Sequence, residues 1–367
     1  MIGIEPSRGI AARLNLDVPL SIGLAVLGGI GLLVIYSAGG QNPDLLSRQG
    51  VRLGVGFIAM LALAQIAPTH YRYWTPWLYS AGIILLILVL AVGLVGKGAQ
   101  RWLDLGPFRF QPSELVKITV PMMVAYYLAE RPLPPTLLRI LISLIIVLVP
   151  TIMIARQPDL GTSVLVASSG LFVLFLAGVS WRIIFTSGSV LLAAAPLIWH
   201  FMHTYQRQRV LTFLNPEQDP LGSGYHIIQS KIAIGSGGLY GKGWLNGTQS
   251  QLDFLPERST DFIFAVLSEE FGLLGVVVLL LAYGFVVLRG LYLATTAQES
   301  YGRLLGGGIV LTFFVYVFVN IGMVSGLLPV VGLPLPLVSY GGTSMVTIMA
   351  AFGLLMSVNA HRRLLSE

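Results

Sequence analysis

Apolar runs of about twenty residues recur from Val18 to Ala360, each near the length a helix needs to cross a bilayer. We read ten such spans, at about 18–37, 50–67, 75–95, 113–129, 137–155, 160–178, 182–203, 261–288, 305–325 and 344–360. Composition agrees: 55% of residues are hydrophobic and 10% charged, against about a quarter charged in an average soluble domain. The expected fold is an all-α polytopic membrane protein, one domain over residues 1–367. A large loop of about 204–260 should separate the seventh and eighth spans.

The first run, Val18 to Ala38, is longer than the 7–15 residues of a secretory signal core, so it reads as a spanning helix. The chain has no cysteine, which excludes disulfides and thiolate metal sites. Its net charge of +6 matters less than where the bases fall. Lysine and arginine in short loops favour the cytoplasm. Ten spans with both termini inside place Arg8, Arg13, Arg72, Arg131, Arg139, Arg182, Arg289, Arg303, Arg362 and Arg363 on the inner side. Arg48, Arg52, Lys97, Arg101, Arg109 and Arg156 then lie on the outer side. An outer face this basic suits an anionic ligand, although lipid phosphates alone could explain it.

A loop as long as 204–260 is usually functional or disordered, and this one is too rich in aliphatic and aromatic residues for disorder. One or two short interfacial helices are expected around 222–236, lying across the outer mouth with glycines as bends. The glycine cluster is not a phosphate-binding P-loop. Ser236 stands where the first glycine belongs before Gly241-Lys242, and Gly243 follows where Ser or Thr belongs. No internal repeat of the kind common in transporters is evident.

Two helix starts carry the chemistry. In GPFRFQPSELVKI, residues 106–118, Ser113 is the expected N-cap, and Glu114 falls in the first turn where the helix dipole favours a carboxylate. Lys117, three residues on, shares its face and can pair with it. Ionisable groups inside a span are costly, so the pair either locks two helices or lines a cavity; both readings stay open. In FLPERSTDFIFAVLSEE, residues 254–270, Ser259-Thr260 is expected to cap the next helix with Asp261 in its first turn. Capping accounts for Asp261 but not for Asp253, Glu257 and Arg258. Glu269 and Glu270 follow two turns later. An acid-lined inlet beside an apolar wall would let one carboxylate act as a base on a lipid-borne substrate.

These stretches resemble the SEDS family (shape, elongation, division and sporulation). TQSQLDFLPERSTDFIFAVLSEEFG (248–272), GAQRWLDLGPFRFQPSELVKI (98–118), RQPDLGTS (156–163) and NIGMVSGLLPVVGLPLPLVSYGGTSM (320–345) all match its pattern. QSQLDFLPER with Arg258 looks more like the elongation member than the division member. The resemblance implies peptidoglycan glycan-strand polymerisation from lipid II during cell-wall elongation, at the outer face of the bacterial cytoplasmic membrane. Undecaprenyl pyrophosphate would be released and a class B penicillin-binding protein would be the partner. It places the essential aspartate on Asp261, the family's loop tryptophan on Trp102, and its Gln-Pro-Ser-Glu and lysine on Gln111 to Glu114 and Lys117. Members usually carry histidine before the Thr-Asp pair, where this chain has Ser259, so the base role rests on Asp261.

Joining an α-linked donor to a hydroxyl with a β-linkage inverts the anomeric carbon, which needs one base and charge stabilisation for the leaving pyrophosphate. Arg48, Arg109, Lys117, Arg156 and Arg258 are the candidate cations, with Glu114, Glu257 and Trp102 as further substrate contacts. A divalent cation, Mg or Mn, is compatible with this chemistry, but no ligand set is readable. A lipid II flippase and a non-catalytic scaffold for the penicillin-binding protein are the alternative functions. For the partner's membrane anchor, the small residues Gly302, Gly306, Gly307 and Gly308 suggest docking around the eighth and ninth helices, although packing within the bundle would use them equally well.

Overall fold

In chain order the helices are α1 (Val18–Ala38), α2 (Pro43–Gln65), α3 (Pro68–Val92), α4 (Pro112–Ala129), α5 (Leu137–Arg156), α6 (Leu160–Leu176), α7 (Trp181–Ala193), α8 (Ala195–Phe201), α9 (Thr204–Leu214), α10 (Ser223–Ser236), α11 (Thr248–Gln251), α12 (Ile263–Thr295), α13 (Ser300–Val324) and α14 (Thr343–Ala360). The computed structural model describes residues 14–96, 99–104, 106, 109–202, 204–218, 223–252, 254–255 and 257–360. Arg8, Arg13, Lys97, Asp253, Arg362 and Arg363 lie outside the described residues.

Seven of these helices, α1, α2, α3, α5, α12, α13 and α14, are long and apolar enough to cross a membrane. The chain is an integral membrane protein. The span expected at 113–129 is α4, whose apolar run is interrupted by Glu114 and Lys117. That expected at 160–178 is α6, of 17 residues. The run at 182–203 is divided at Ala194 into α7 and α8, and Pro196 stands at the start of the second piece, where a missing N–H costs least. No residue of α7 is buried.

One short sheet interrupts the helices. β1 (Leu94–Gly96), β2 (Ala99–Asp104) and β3 (Arg109–Phe110) pair antiparallel in that order, between α3 and α4. The large loop is mostly helical. Its α10 forms where a short helix was expected, but it is more than a surface strip: Ile227, Ser230 and Ala233, on one face, are buried, and α10 packs on α12 and α13.

Two large apolar cores meet at α13, with a small third one of Leu165, Tyr316 and Leu333. One joins α1, α12 and α14, the other α3, α4, α5 and α6; Val310, Phe313 and Val317 belong to the first, Leu304, Leu305 and Ile309 to the second. The glycines of α13 make this possible, and they face inward. A side-chain carbon on Gly306 would lie 2.8 Å from Leu355, one on Gly307 2.4 Å from Leu176 and one on Gly308 2.6 Å from Val173. This corrects the expectation of a partner-docking stripe at Gly306 and Gly307, because close approach here serves helices of the same chain. Gly307→Leu should therefore lower the thermal stability of the isolated protein, by about 2 kcal/mol or more from overpacking. Unchanged stability with partner binding lost would restore the docking reading.

α12 is broken within its length. Gly272 has φ 62° and ψ −160°, a conformation outside the helix, so the segment 263–271, buried from Ile263 to Glu270, and the long segment 273–295 are separate helical pieces. Such a break orphans carbonyls before it and N–H groups after it. The glycine-rich segment after α10 supplies both kinds of partner. Lys242 and Gly243 N–H donate to the carbonyls of Glu269 and Glu270, each at 3.0 Å. Leu273 and Leu274 N–H donate to the carbonyls of Gly238 and Leu239, at 2.9 and 3.1 Å. The cluster is thus a backbone brace.

Candidate active site

The stretch 257–262 is a tight turn ahead of α12. Thr260 and Phe262 N–H donate to the Glu257 carbonyl, at 3.0 and 3.3 Å, and the helix begins only at Ile263 with Phe262 as N-cap. Asp261 therefore stands just before the helix, not in its first turn, and Ser259-Thr260 is not the cap. Glu257 is exposed with φ 53°, a left-handed conformation that costs a residue with a side chain of order 1 kcal/mol or more, and its carboxylate accepts from the Thr260 hydroxyl at 3.0 Å.

The C-terminal signature holds this turn by its main chain. The buried Asn320 amide of α13 donates to the Asp261 carbonyl at 3.0 Å and to the Leu333 carbonyl at 2.6 Å. Ser339 Oγ donates to the Thr260 carbonyl at 2.5 Å, and Tyr340 N–H to the Ser259 carbonyl at 2.8 Å. Gly332, at φ 73°, leaves the space beside the Asp261 carboxylate open; a side-chain carbon there would sit 3.4 Å from Oδ2. Asp261 itself remains partly exposed. A carboxylate with a fixed backbone and an open flank is suited to accept a proton from a docked hydroxyl.

A second polar cluster lies at the start of α4. Lys117 Nζ meets Glu114 Oε1 at 2.8 Å, both side chains buried, and donates to Tyr316 Oη at 3.4 Å. Gln111 donates to Asp159 Oδ2 at 3.3 Å, and Arg101 Nε approaches the same oxygen at 3.6 Å. Asp159 also caps α6 by accepting from Thr162 N–H at 3.2 Å. Sequence reasoning expected Ser113 as the cap of α4. Pro112 instead occupies the first helical turn and Gln111 is the N-cap, because proline fits where the N–H would be orphaned anyway.

The two clusters are neighbours through α13 and the signature loop. Tyr316, of the Lys117 cluster, and Asn320, which holds Asp261, are four residues and thus about one turn apart on one helix. Gly161, two residues past Asp159, presses on Val331 and Leu333, which flank Gly332. Glu114 and Lys117 also line a small pocket between α4, α13 and α14, and Glu114 lines a larger, open groove with Arg52, Phe110 and Gly342. A buried ion pair beside a cavity can both lock helices and face a substrate.

Removing one partner of a buried pair leaves an uncompensated charge and typically costs about 3 kcal/mol or more. Glu114→Ala and Lys117→Ala should each destabilise strongly, and the double variant should lose clearly less than their sum. Thermal unfolding of the three variants checks this; strict additivity would show the two side chains to be uncoupled.

The other expected site residues are dispersed. Arg258 is partly exposed and reaches toward Gly40, in the turn between α1 and α2. Arg48 is exposed in α2, next to buried Gln49, which donates to the Ser339 carbonyl at 3.1 Å. Arg156 is exposed in the last turn of α5, where the helix dipole alone favours a cation. Trp102 sits in β2 opposite Leu94, and Arg109 in β3 opposite Asp104. Two further arginines expected on the outer side are held against other groups, Arg101 by Asp159 and Arg52 by an aromatic ring. Arg52 lies 4.4 Å over the ring of Tyr340 in the signature.

Glu269 and Glu270 do not line an inlet, contrary to expectation. Both are buried in the first piece of α12. Glu269 Oε1 accepts from Lys242 Nζ at 2.7 Å, Thr248 Oγ1 at 3.0 Å and Gln249 N–H at 3.0 Å, while Glu270 accepts from the Ser37 hydroxyl. They pin the glycine brace and α1 to α12. For a divalent cation, no group of three or more His, Cys, Asp or Glu side chains among the described residues could hold one.

A bundle of apolar helices clamps the turn that carries the partly exposed Asp261 and, about one helical turn away along α13, packs against a buried acid–base pair. Residues 19–364 match the FtsW/RodA/SpoVE cell cycle protein family, and the chain belongs to it; this is the SEDS family. It is 56% identical, over 97% of its length and 96% of the relative's, to the peptidoglycan glycosyltransferase MrdB of Escherichia coli strain K12. It is 32% identical to the peptidoglycan glycosyltransferase RodA of Treponema pallidum, over 97% of this chain and 99% of that one. Among solved structures it resembles a chain of a peptidoglycan synthase complex that coordinates polymerization and crosslinking, with a TM-score of 0.83 at 35% identity, covering 95% of this chain and 98% of that one. It also resembles the rod shape determining protein RodA of Thermus thermophilus, with a TM-score of 0.72 at 31% identity, covering 95% and 97%.

Proposed function

We propose that this chain is a peptidoglycan glycosyltransferase that polymerises lipid II into glycan strands during cell-wall elongation. The observation that carries the reading is the clamped turn: buried Asn320 and Ser339 fix the backbone at Asp261 while its carboxylate stays accessible. In the reaction, Asp261 takes the proton of the acceptor sugar hydroxyl. The hydroxyl oxygen bonds to the donor's anomeric carbon as the bond from that carbon to the pyrophosphate oxygen breaks. Undecaprenyl pyrophosphate leaves with the electron pair, and the α-linkage becomes β. Lys117 and the arginines Arg48, Arg109, Arg156 and Arg258 are the groups that would meet the pyrophosphate charge, with Glu114, Glu257 and Trp102 as substrate contacts.

The whole chain acts as one domain of about ten spans in the bacterial cytoplasmic membrane, with both termini inside and Asp261 on the outer face. Its partner is a class B penicillin-binding protein that crosslinks the strands, a reading supported by the likeness to a chain of a peptidoglycan synthase complex. Purified chain given lipid II in detergent, alone and with that partner, should yield glycan strands resolvable by gel. Transport of lipid II across vesicles without strands would favour a flippase, and strands formed only by the partner would favour a scaffold.

A further inference from the structure

The large loop reaches the catalytic turn from a side that the Thr-Asp motif does not announce. His226, in the first turn of α10, lies flat on Phe262, with ring centroids 5.7 Å apart and planes 17° from parallel. Phe262 directly follows Asp261 and is buried. Tyr225 meets the same imidazole edge-on at 6.4 Å. Nδ1 of His226 is sealed from solvent and has no hydrogen-bond partner. Just ahead of the Thr-Asp pair stands Ser259, whose carbonyl accepts from Tyr340 N–H.

We propose that His226 is a positioning residue for glycosyl transfer: its neutral ring, supplied from α10, holds Phe262 and with it the Asp261 carboxylate in the orientation that accepts the proton, and protonation of the ring releases that hold. The inference rests on the reading of Asp261 as the base. A neutral imidazole can stack on phenylalanine at little cost. Once protonated, both ring nitrogens are donors, and one of them here points into a buried space without an acceptor. Burial accordingly pulls the His226 pKa below its ordinary value, and the opposing pull of the Glu257 carboxylate is the smaller effect.

The charged and titratable groups around the ring are few. Tyr225 and Lys231 share its helix, and Lys231 lies against Gly326. Glu257, Arg258 and Asp261 belong to the turn it covers. Of the elements packed on α10, α9 carries Arg207 and Arg209, and the short turn Pro216–Gln218 carries Glu217. Helix α12 offers Glu269 and Glu270, tied to Lys242 and Ser37, and farther along Arg289, paired with Asp17. Helix α13 has a single ionised residue, Arg303, in its first turn. A cationic ring here would also pair with the turn's carboxylates and make Asp261 a weaker base. Since the unfolded chain binds the His226 proton more readily than the folded one, the hold on the turn weakens as pH falls below about 6.5.

The test is kcat and KM for lipid II with the purified full-length chain, from about pH 5 to about pH 9. Wild type should lose kcat on the acid side through an inflection below about 6.5. His226→Phe keeps the stacking and removes the titration. It should hold the plateau kcat within about threefold and lack that inflection. His226→Ala should lose about tenfold in plateau kcat, with KM within about twofold. An acid inflection that persists in His226→Phe, or full kcat in a folded His226→Ala, would overturn the proposal. Asp261→Asn, run alongside, separates the two claims: strands made by that variant would overturn the base assignment itself.

Discussion

Asp261→Asn should fold and make almost no glycan. A missing general base typically lowers rate by about 100-fold to 10,000-fold, and an amide cannot accept the acceptor hydroxyl's proton. The fold should survive because the turn is held through the carbonyls of Ser259, Thr260 and Asp261, which the substitution leaves in place. Asp261→Ala should behave the same way. Strand synthesis at near wild-type rate in either purified variant, with an unchanged melting temperature, would take the base role away from this residue.

Gly272→Ala should be among the most destabilising single-methyl changes in the chain. At φ 62° and ψ −160° the backbone is in a region that essentially only glycine occupies. Space is also lacking: an added side-chain carbon would lie 2.3 Å from Gly241 N and 2.7 Å from the Leu239 carbonyl carbon and oxygen. Those contacts are to backbone, so relief requires pulling the brace off α12. That breaks the hydrogen bonds from Lys242, Gly243, Leu273 and Leu274 and disturbs the pairing of Glu269 with Lys242. We expect a loss of about 3 kcal/mol or more, read as a lower melting temperature in detergent and a fall in activity with it. An alanine variant as stable as wild type would mean the break in α12 is not built as described.

What the sequence made readable was local. Hydropathy marked the seven long spans, and the three-residue spacing of Glu114 and Lys117 marked their pair, because both signals live within one helix. Ser113 was read as a cap because serine favours that position, yet Pro112 beside it decided the helix start. The supports of Asp261 were not readable. Asn320 and Ser339 lie 59 and 79 residues from the carbonyls they hold, and nothing in one sequence links residues so far apart. The same limit hid the roles of Glu269, Glu270 and Lys242. Two adjacent acids suggest an inlet, until the break at Gly272 brings them together with Lys242 as a brace. His226 was missed because the motif drew attention to position 259 and away from α10.

The most direct measurement follows the bond itself. Purified chain, free of any partner, is given lipid II, and both the new linkage and the released lipid are analysed. One undecaprenyl pyrophosphate per bond formed, with every new linkage β, is the result expected of a single displacement with Asp261 as base. Retained α-linkage, or lipid II consumed without pyrophosphate release, would contradict glycosyl transfer by this site.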